Sequence, residues 1–438
     1  MSKIKCLHAP WIIPVEPRDV VHRDYCLVLE GERIIDLLAS DKARVEYRDA
    51  VHEDYPGHLL MPGLVNAHTH AAMVLMRGLA DDLPLQEWLE EHIWPAELAN
   101  LSPGFVRDGT RLAVAEMLRG GTTCFADKYF FPESAMEVAI EAGMRTVTGL
   151  VVIDFATPWA ADPDEALEKG LAVFERWHNH PRAHFALAPH APYSVSDAPL
   201  ERIRVLSDQL DIPVHMHVHE SAWEIDNALA STNERPLARL ARLGLVNERL
   251  VAVHMTQLID EEITLLAEVG ASVIHCPESN LKLASGFCPV QRLLDAGINV
   301  GLGTDGAVSN NDLDMFGEMR TAALVGKPVA GSASALNNHE VLRMATLGGA
   351  RAFGIDHLCG SLEIGKQADV IAVDLSWLET RPVYDPISHL VYAVARQQVT
   401  DVWVAGRQLL RDRNLTTLDT AEIVRDAERW QAVLEKNA

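Results

Sequence analysis

Nineteen histidines occur in the chain, and eight of them (His68, His70, His190, His215, His217, His219, His254 and His275) lie in or at the ends of short apolar runs. Packing does not favour that placement, because each buried imidazole needs hydrogen-bond partners. His68-Thr69-His70 closes the first run. Residues two apart on a β-strand point to one side, so both imidazoles can reach a single ion. Such a pair alone reads equally well as two satisfied core histidines. Three further elements tip the balance: His217-Val-His-Glu220, His254 in Val-Ala-Val-His-Met, and Asp305 in Gly-Leu-Gly-Thr-Asp-Gly, each in or ending another run. His68, His70, one of His215, His217 and His219, and Asp305 together make a mononuclear metal site. Neutral imidazoles with one carboxylate suit zinc, one ion per chain, with iron or manganese as possible substitutes, and leave a position for water. A metal brings the pKa of such a water to about 7. Glu220 and His254 are left over as acid/base groups that are not ligands.

The alternation of His215, His217 and His219 does not choose among them, although His215 should lie deeper, in a supporting or core role. His275, Cys276 and Cys124 lack a second matched donor and read as core, where free cysteine behaves as a small hydrophobe. Glu97 follows Pro95 at the end of an amphipathic stretch (Leu85, Trp88, Leu89, His92, Ile93). Its carboxylate is either a solvated helix-end charge or an acceptor for a pair of sugar hydroxyls. Trp88 reads as core.

These residues need a frame. Eight apolar runs alternate with stretches long enough for a crossover helix: Leu59–Thr69, Gly121–Asp127, Arg145–Ile153, His184–Ala191, Ile212–Glu220, Leu250–Gln257, Ala271–Ser279 and Asn299–Gly306. Such alternation implies parallel strands buried on both faces, and eight units imply an α/β fold, a (β/α)8 TIM barrel with its site at the C-terminal strand ends. A doubly wound sheet would need a Gly-rich phosphate turn after its first strand, and none is present. Short alternating strands at both ends (Lys5–Val15, Tyr25–Leu29, Arg33–Asp36; Asp369–Asp374, Val399–Val404, Arg407–Leu410) should pair into one small β-sandwich. The expected division is 1–58 and 365–438 for the two sandwich halves, the latter with a terminal helix, and 59–364 for the barrel. That helix, Leu418–Leu434, has Ile423, Ala427, Trp430 and Val433 at helical spacing and serves packing.

Composition sets outer bounds. Of 438 residues, 48% are hydrophobic and 23% charged, and 38 basic against 62 acidic residues leave −24. That field repels nucleic acid and anionic membranes. The start lacks the apolar core of a signal peptide and no run approaches the ~18 apolar residues of a membrane span, so a cytoplasmic location is expected. Six cysteines without CxxC spacing imply no disulfide framework.

Taken together, Met61-Pro-Gly-Leu-Val-Asn-Ala-His-Thr-His70, His217-Val-His-Glu220, His254 and Gly303-Thr-Asp305 resemble the amidohydrolase superfamily, in its cytosine/guanine deaminase and triazine hydrolase branch. Gly360–Asp374 is similar to the stretch by which that superfamily's chain returns to its sandwich. Leu75–Leu89, Pro95-Ala-Glu97, Ala188-Pro-His190-Ala-Pro-Tyr193, Cys276–Gly286 and Thr304–Asn311 look like the 5-methylthioadenosine/S-adenosylhomocysteine deaminase family. The resemblance implies that His68, His70, His217 and Asp305 hold zinc, that Glu220 protonates the ring nitrogen beside the attacked carbon, and that His254 orients hydroxide. By the same resemblance Asp305 is catalytic as well as a ligand, Glu97 and His190 meet the ribose, and Glu220 and Asp305 also contact the substrate. A homo-oligomer is implied too. The chain departs from the pattern in Ala156–Glu165, which has no arginine for a homocysteine carboxylate; Arg145 and Arg176 are the nearest.

The function expected is hydrolytic deamination of an adenine nucleoside with a 5′-thioether, or of adenosine. The alternative in the same branch removes ammonia or another leaving group from a free base or triazine, which has no ribose for Glu97 and His190 to hold. A scaffold relative that has lost its metal site is the alternative of another class, and the presence of all four ligands and Glu220 argues against it.

Overall fold

The computed structural model describes residues 4–437. Eight parallel strands form the central layer: β1 (Leu64–Thr69), β2 (Thr122–Asp127), β3 (Arg145–Val152), β4 (Ala183–Pro189), β5 (Val214–Val218), β6 (Leu250–His254), β7 (Ser272–His275) and β8 (Asn299–Leu302). They neighbour one another in sequence order among the described residues. The circle closes where the Asp305 N–H donates to His68 O at 3.0 Å and the Thr304 N–H to the Asn66 side chain, also at 3.0 Å. Almost every residue of these strands is buried, because helices cover the outer face while Val65, Ala67, Cys124, Ala126, Val147, Val253 and Ile274 fill the interior. All six cysteines are free and buried.

The crossover helices begin and end as local chemistry requires. Ser102 caps Pro103–Arg119 by accepting from the Phe105 N–H at 3.2 Å. Pro132–Ala142 stops at Gly143, whose φ of +89° is open to glycine at little cost.

The first run divides in two. His58–Pro62 pairs in a second sheet, and only from Leu64 does the chain enter the barrel. Pro62 has no N–H to continue a ladder, and a Cβ at Gly63 would lie 2.1 Å from the Thr123 side chain, so the crossing admits only glycine. Residues 59–62, placed with the barrel by their hydrophobicity, therefore belong to the sheet beside it.

That sheet has nine strands among the described residues and joins both chain ends. Its centre is His58–Pro62, parallel to Lys5–Ile12 and antiparallel to Val370–Asp374. The strand Val51–Asp54 and the helix Ser40–Glu46 carry no apolar alternation that would announce them. Beneath the barrel, Arg145 at the start of β3 is buried against Asp369, its Nε donating to Oδ2 at 3.0 Å and its Nη2 to Oδ1 at 3.1 Å. The last helix, Thr420–Asn437, packs on Pro103–Arg119: Trp430 meets Phe105 edge-on, and its Nε1 donates to Asp108 at 3.0 Å. Among the described residues no helix is long and apolar enough to cross a membrane.

Candidate active site

Four strand ends converge at the C-terminal mouth. β1 runs out through His68 and His70, β5 carries His217, and Asp305 follows β8. His68 Nε2 lies 3.3 Å and His70 Nε2 3.2 Å from Asp305 Oδ1, and His217 Nε2 is 3.1 Å from His68 Nε2. His254 ends β6 beside the same cluster. His254 and Asp305 hold φ of +77° and +62°. Left-handed backbone costs an ordinary residue about 1–2 kcal/mol, and here it ends each strand with the side chain turned to the mouth.

The donor chemistry fits a cation. His70 Nδ1 is 2.6 Å from the Lys128 carbonyl, which only an N–H can serve, so a neutral His70 turns a bare Nε2 towards the Asp305 carboxylate. Two lone pairs face each other, an arrangement that needs a proton or a metal ion between them. The outer oxygen of Asp305 is taken by the hydroxyls of Ser279 (2.7 Å) and Ser309 (2.9 Å), leaving Oδ1 for the cluster. Burial would raise the Asp305 carboxyl, but with a proton between ring and carboxylate His68 and His70 donate to it and hold it well below the usual range. Burial pushes His68 down to about 3 and His217 well down, so both rings stay neutral, as ligands must.

The three histidines of β5 separate cleanly. His217 joins the cluster. His215 lies deeper, its Nε2 3.0 Å from His68 Nδ1, where it supports that ring from behind. His219 does not share their face: β5 ends at Val218, and φ of +55° at His219 swings its ring away, where Nε2 accepts from the Leu237 N–H at 3.2 Å.

Around the cluster lie the other expected residues. Glu220 Oε2 is 3.7 Å from His254 Nε2, and burial raises its carboxyl above the ordinary range. His254 Nδ1 donates to Asn280 Oδ1 at 2.9 Å, which leaves its Nε2 as an acceptor facing Glu220. The backbone of Glu220 is gripped on both sides: its N–H donates to Glu224 Oε2 (2.8 Å) and its carbonyl accepts from the Thr256 hydroxyl (2.8 Å). Glu97 rides the helix Trp94–Asn100, which continues from a π-helical turn at Trp88–Ile93. It is buried, not solvated, and Tyr129 donates to its Oε1 at 2.6 Å. Burial lifts its carboxyl to about 7 against the opposing pull of the Tyr129 bond. His190 follows β4, held through Nδ1 by Ser194 Oγ at 2.7 Å. Glu97, His190, Glu220, His254 and Asp305 all line one cavity of about 380 Å3. Trp88 is buried, as expected of core, and its ring also forms part of that cavity's wall.

The cluster residues missed in the sequence are Lys128, Tyr129, Ser279, Asn280 and Ser309. Lys128 directly follows the end of β2, a position that could have signalled it. It is buried, its Nζ donates to His190 O at 2.7 Å and sits 3.4 Å from His217 Nδ1, and burial depresses it well below the ordinary lysine range. Arg145 and Arg176 are not at the mouth. The first lies under the barrel and the second pairs with Glu137 at 3.2 Å.

A model of the amidohydrolase family matches residues 59–409. The chain belongs to the amidohydrolase family. A 5-methylthioadenosine/S-adenosylhomocysteine deaminase of Teredinibacter turnerae is 50% identical over 428 residues, 98% of this chain and 97% of its own. The crystal structure of an adenosine deaminase from Xanthomonas campestris with bound zinc superposes with a TM-score of 0.96 at 51% identity, covering 99% and 98% of the two chains. An atrazine chlorohydrolase from Arthrobacter aurescens complexed with zinc shares the fold, with a TM-score of 0.91, 23% identity and coverage of 98% and 100%. This amidohydrolase is thus an enzyme of a hydrolytic family, with an imidazole and carboxylate cluster suited to a metal at the mouth of its barrel.

Proposed function

We propose that this amidohydrolase removes ammonia hydrolytically from the adenine ring of a nucleoside bearing a 5′-thioether, 5-methylthioadenosine or S-adenosylhomocysteine, with adenosine as a further substrate. Zinc is the proposed cofactor, held by His68, His70, His217 and Asp305. When bound, it supplies Lewis-acid activation of a water molecule.

The chain's own groups divide the remaining work. Glu220, whose burial favours the protonated form, donates to the ring nitrogen next to the amino-bearing carbon as water adds there, and passes a proton to the departing amine. His254 presents a bare Nε2 that orients the attacking water, a role set by the Asn280 carbonyl behind it. Asp305, beside them, accepts one proton of that water and returns it to Glu220 at the end of the turnover; the second water proton, taken up by Glu220 as the carbonyl forms, is the one it passes to the amine. Water adds, ammonia leaves, and the inosyl nucleoside remains.

One observation carries the choice of a nucleoside over a free base. Glu97 is buried in the cavity wall, and Tyr129 is its only side-chain hydrogen-bond partner among the described residues. A buried carboxylate so sparsely partnered costs free energy unless a ligand completes it. Two ribose hydroxyls do so, with His190 on the same cavity, whereas a free base leaves the group wanting. A screen of 5-methylthioadenosine, S-adenosylhomocysteine, adenosine, guanine, cytosine and a chlorotriazine for ammonia or chloride release tests this. Turnover of the nucleosides alone is expected, and comparable turnover of a base or triazine would replace the reading with the free-heterocycle alternative.

A further inference from the structure

The cavity changes character with depth. At its floor stand His70, His217, Asp305, Glu220, His254 and Lys128, while its outer wall is made by Leu89, Trp94, Leu98, Phe130, Phe155 and Pro158. Leu98 is 55% and Phe155 42% exposed, which marks the mouth, and the Trp94 and Phe155 rings meet at 5.7 Å. No arginine lines the cavity among the described residues, and its only lysine, Lys128, is buried at the floor with its ammonium on the His190 carbonyl. The cations beside the walls are already engaged. Lys282, next to Leu283 of the wall, holds Asp81, Asn311 and the Val308 carbonyl. Lys169 reaches the Trp159 carbonyl and Glu165 at 2.5 and 2.8 Å.

We infer that this outer wall selects nucleosides with an uncharged 5′-substituent, so that a methylthio or longer alkylthio group is taken well ahead of a homocysteinyl tail. The inference rests on the nucleoside reading above and narrows it. The zwitterionic homocysteine head laid against Trp94, Leu98 and Phe155 loses hydration at both charges, and its carboxylate meets no cation of the protein there. A thioether sulfur and its alkyl group lose nothing there and gain apolar and sulfur–aromatic contact.

The test measures kcat/KM by ammonia release from the zinc-loaded full chain with adenosine, 5-methylthioadenosine, 5′-butylthioadenosine and S-adenosylhomocysteine. The butylthio compound separates charge from length. Both neutral thioethers should exceed S-adenosylhomocysteine by at least about tenfold, the effect of leaving one charged group without a partner. Phe155→Arg, at an exposed position, should raise the ratio for S-adenosylhomocysteine over 5-methylthioadenosine by about tenfold. S-adenosylhomocysteine within about threefold of 5-methylthioadenosine, or a butylthio compound as poor as S-adenosylhomocysteine, overturns the inference and leaves deamination standing. Adenosine matching both thioethers also overturns it, since the wall would then contribute nothing. Absence of ammonia from every nucleoside removes the deaminase reading together with it.

Discussion

The two ends of the barrel bury charge in opposite ways. Under the floor, Arg145 donates to both oxygens of Asp369, to Gln367 and to the Pro181 carbonyl, and Asp369 Oδ1 accepts in addition from the Ala405 N–H at 2.7 Å. That pair is complete within the protein, and it ties β3 to the mixed sheet. At the mouth the protein's own groups leave one another short of partners: His70 Nε2 and Asp305 Oδ1 face each other at 3.2 Å, and Glu220 and His254 stand 3.7 Å apart, beyond hydrogen-bond range. Buried polarity that is satisfied internally holds a fold together, whereas buried polarity that waits for partners is where a ligand belongs. Both ends are largely removed from solvent, so it is the partners and not the burial that set them apart.

The sharpest way to test that contrast is to remove a group from the mouth. Glu220→Gln keeps size and a donor but cannot transfer a proton, so kcat should fall about 10²–10⁴-fold with metal content and thermal midpoint unchanged. His217→Ala should abolish metal binding and activity together and still fold, as elemental analysis and circular dichroism would report. Loss of metal from Glu220→Gln would make Glu220 a ligand and redraw the cluster.

The complementary change is at the floor. Arg145→Met leaves Asp369 buried without its partner and should cost about 3–5 kcal/mol of stability in a urea titration. Activity per folded molecule should stay near the parent. A collapse of kcat in folded Arg145→Met would show that the two ends are coupled and that the floor is not purely structural.

The contrast also explains what could be read from the sequence. The mouth was legible because its residue types are wrong for packing: three imidazoles and a carboxylate at strand ends have few uses other than a metal. Eight strands were legible for the same kind of reason, since Val-Ala-Val and Ala-Ser-Val-Ile runs between helical stretches fit little else. The supporting residues were not. Asn280, Ser279 and Ser309 are ordinary loop residues whose value lies in an orientation that only the folded backbone sets. Alternation puts His219 on the face of His217 only if the backbone stays extended, and its left-handed φ breaks that premise. The first apolar run overstates the first barrel strand because hydrophobicity continues through Pro62-Gly63, where the ladder changes sheets. Spacing leaves Glu97 open between a solvated helix end and a sugar acceptor, since sequence does not show that a π-helical turn carries its helix into the cavity wall.

A smaller effect separates binding from fold at Glu97. Replacing it with alanine should raise KM for the nucleoside about ten- to hundredfold more than for adenine, as expected of hydrogen bonds worth about 1.5–3 kcal/mol. Equal effects on both would mean that it does not hold ribose.

The smallest effect concerns the proton on that same carboxyl, and here binding and stability pull in opposite directions. Burial raises Glu97 to about 7 in the folded chain, while an unfolded glutamate titrates near about 4.3. Between those values the folded state holds a proton that the unfolded state has lost, so the contribution to stability is complete below about pH 4 and is lost as pH rises through about 7. Ribose hydroxyls want the opposite state, because an ionised carboxylate accepts on both oxygens while a protonated one uses part of its capacity as a donor. KM for the nucleoside should therefore fall as pH rises from about 6 to about 8, while the Glu97 contribution to the urea midpoint declines over about pH 4 to 7. Glu97→Gln should flatten both trends, because its amide does not titrate. If the parent and Glu97→Gln show the same KM profile across that range, the ionisation of Glu97 is not what the ribose site depends on, and this carboxyl would belong with the satisfied, structural charge of the floor.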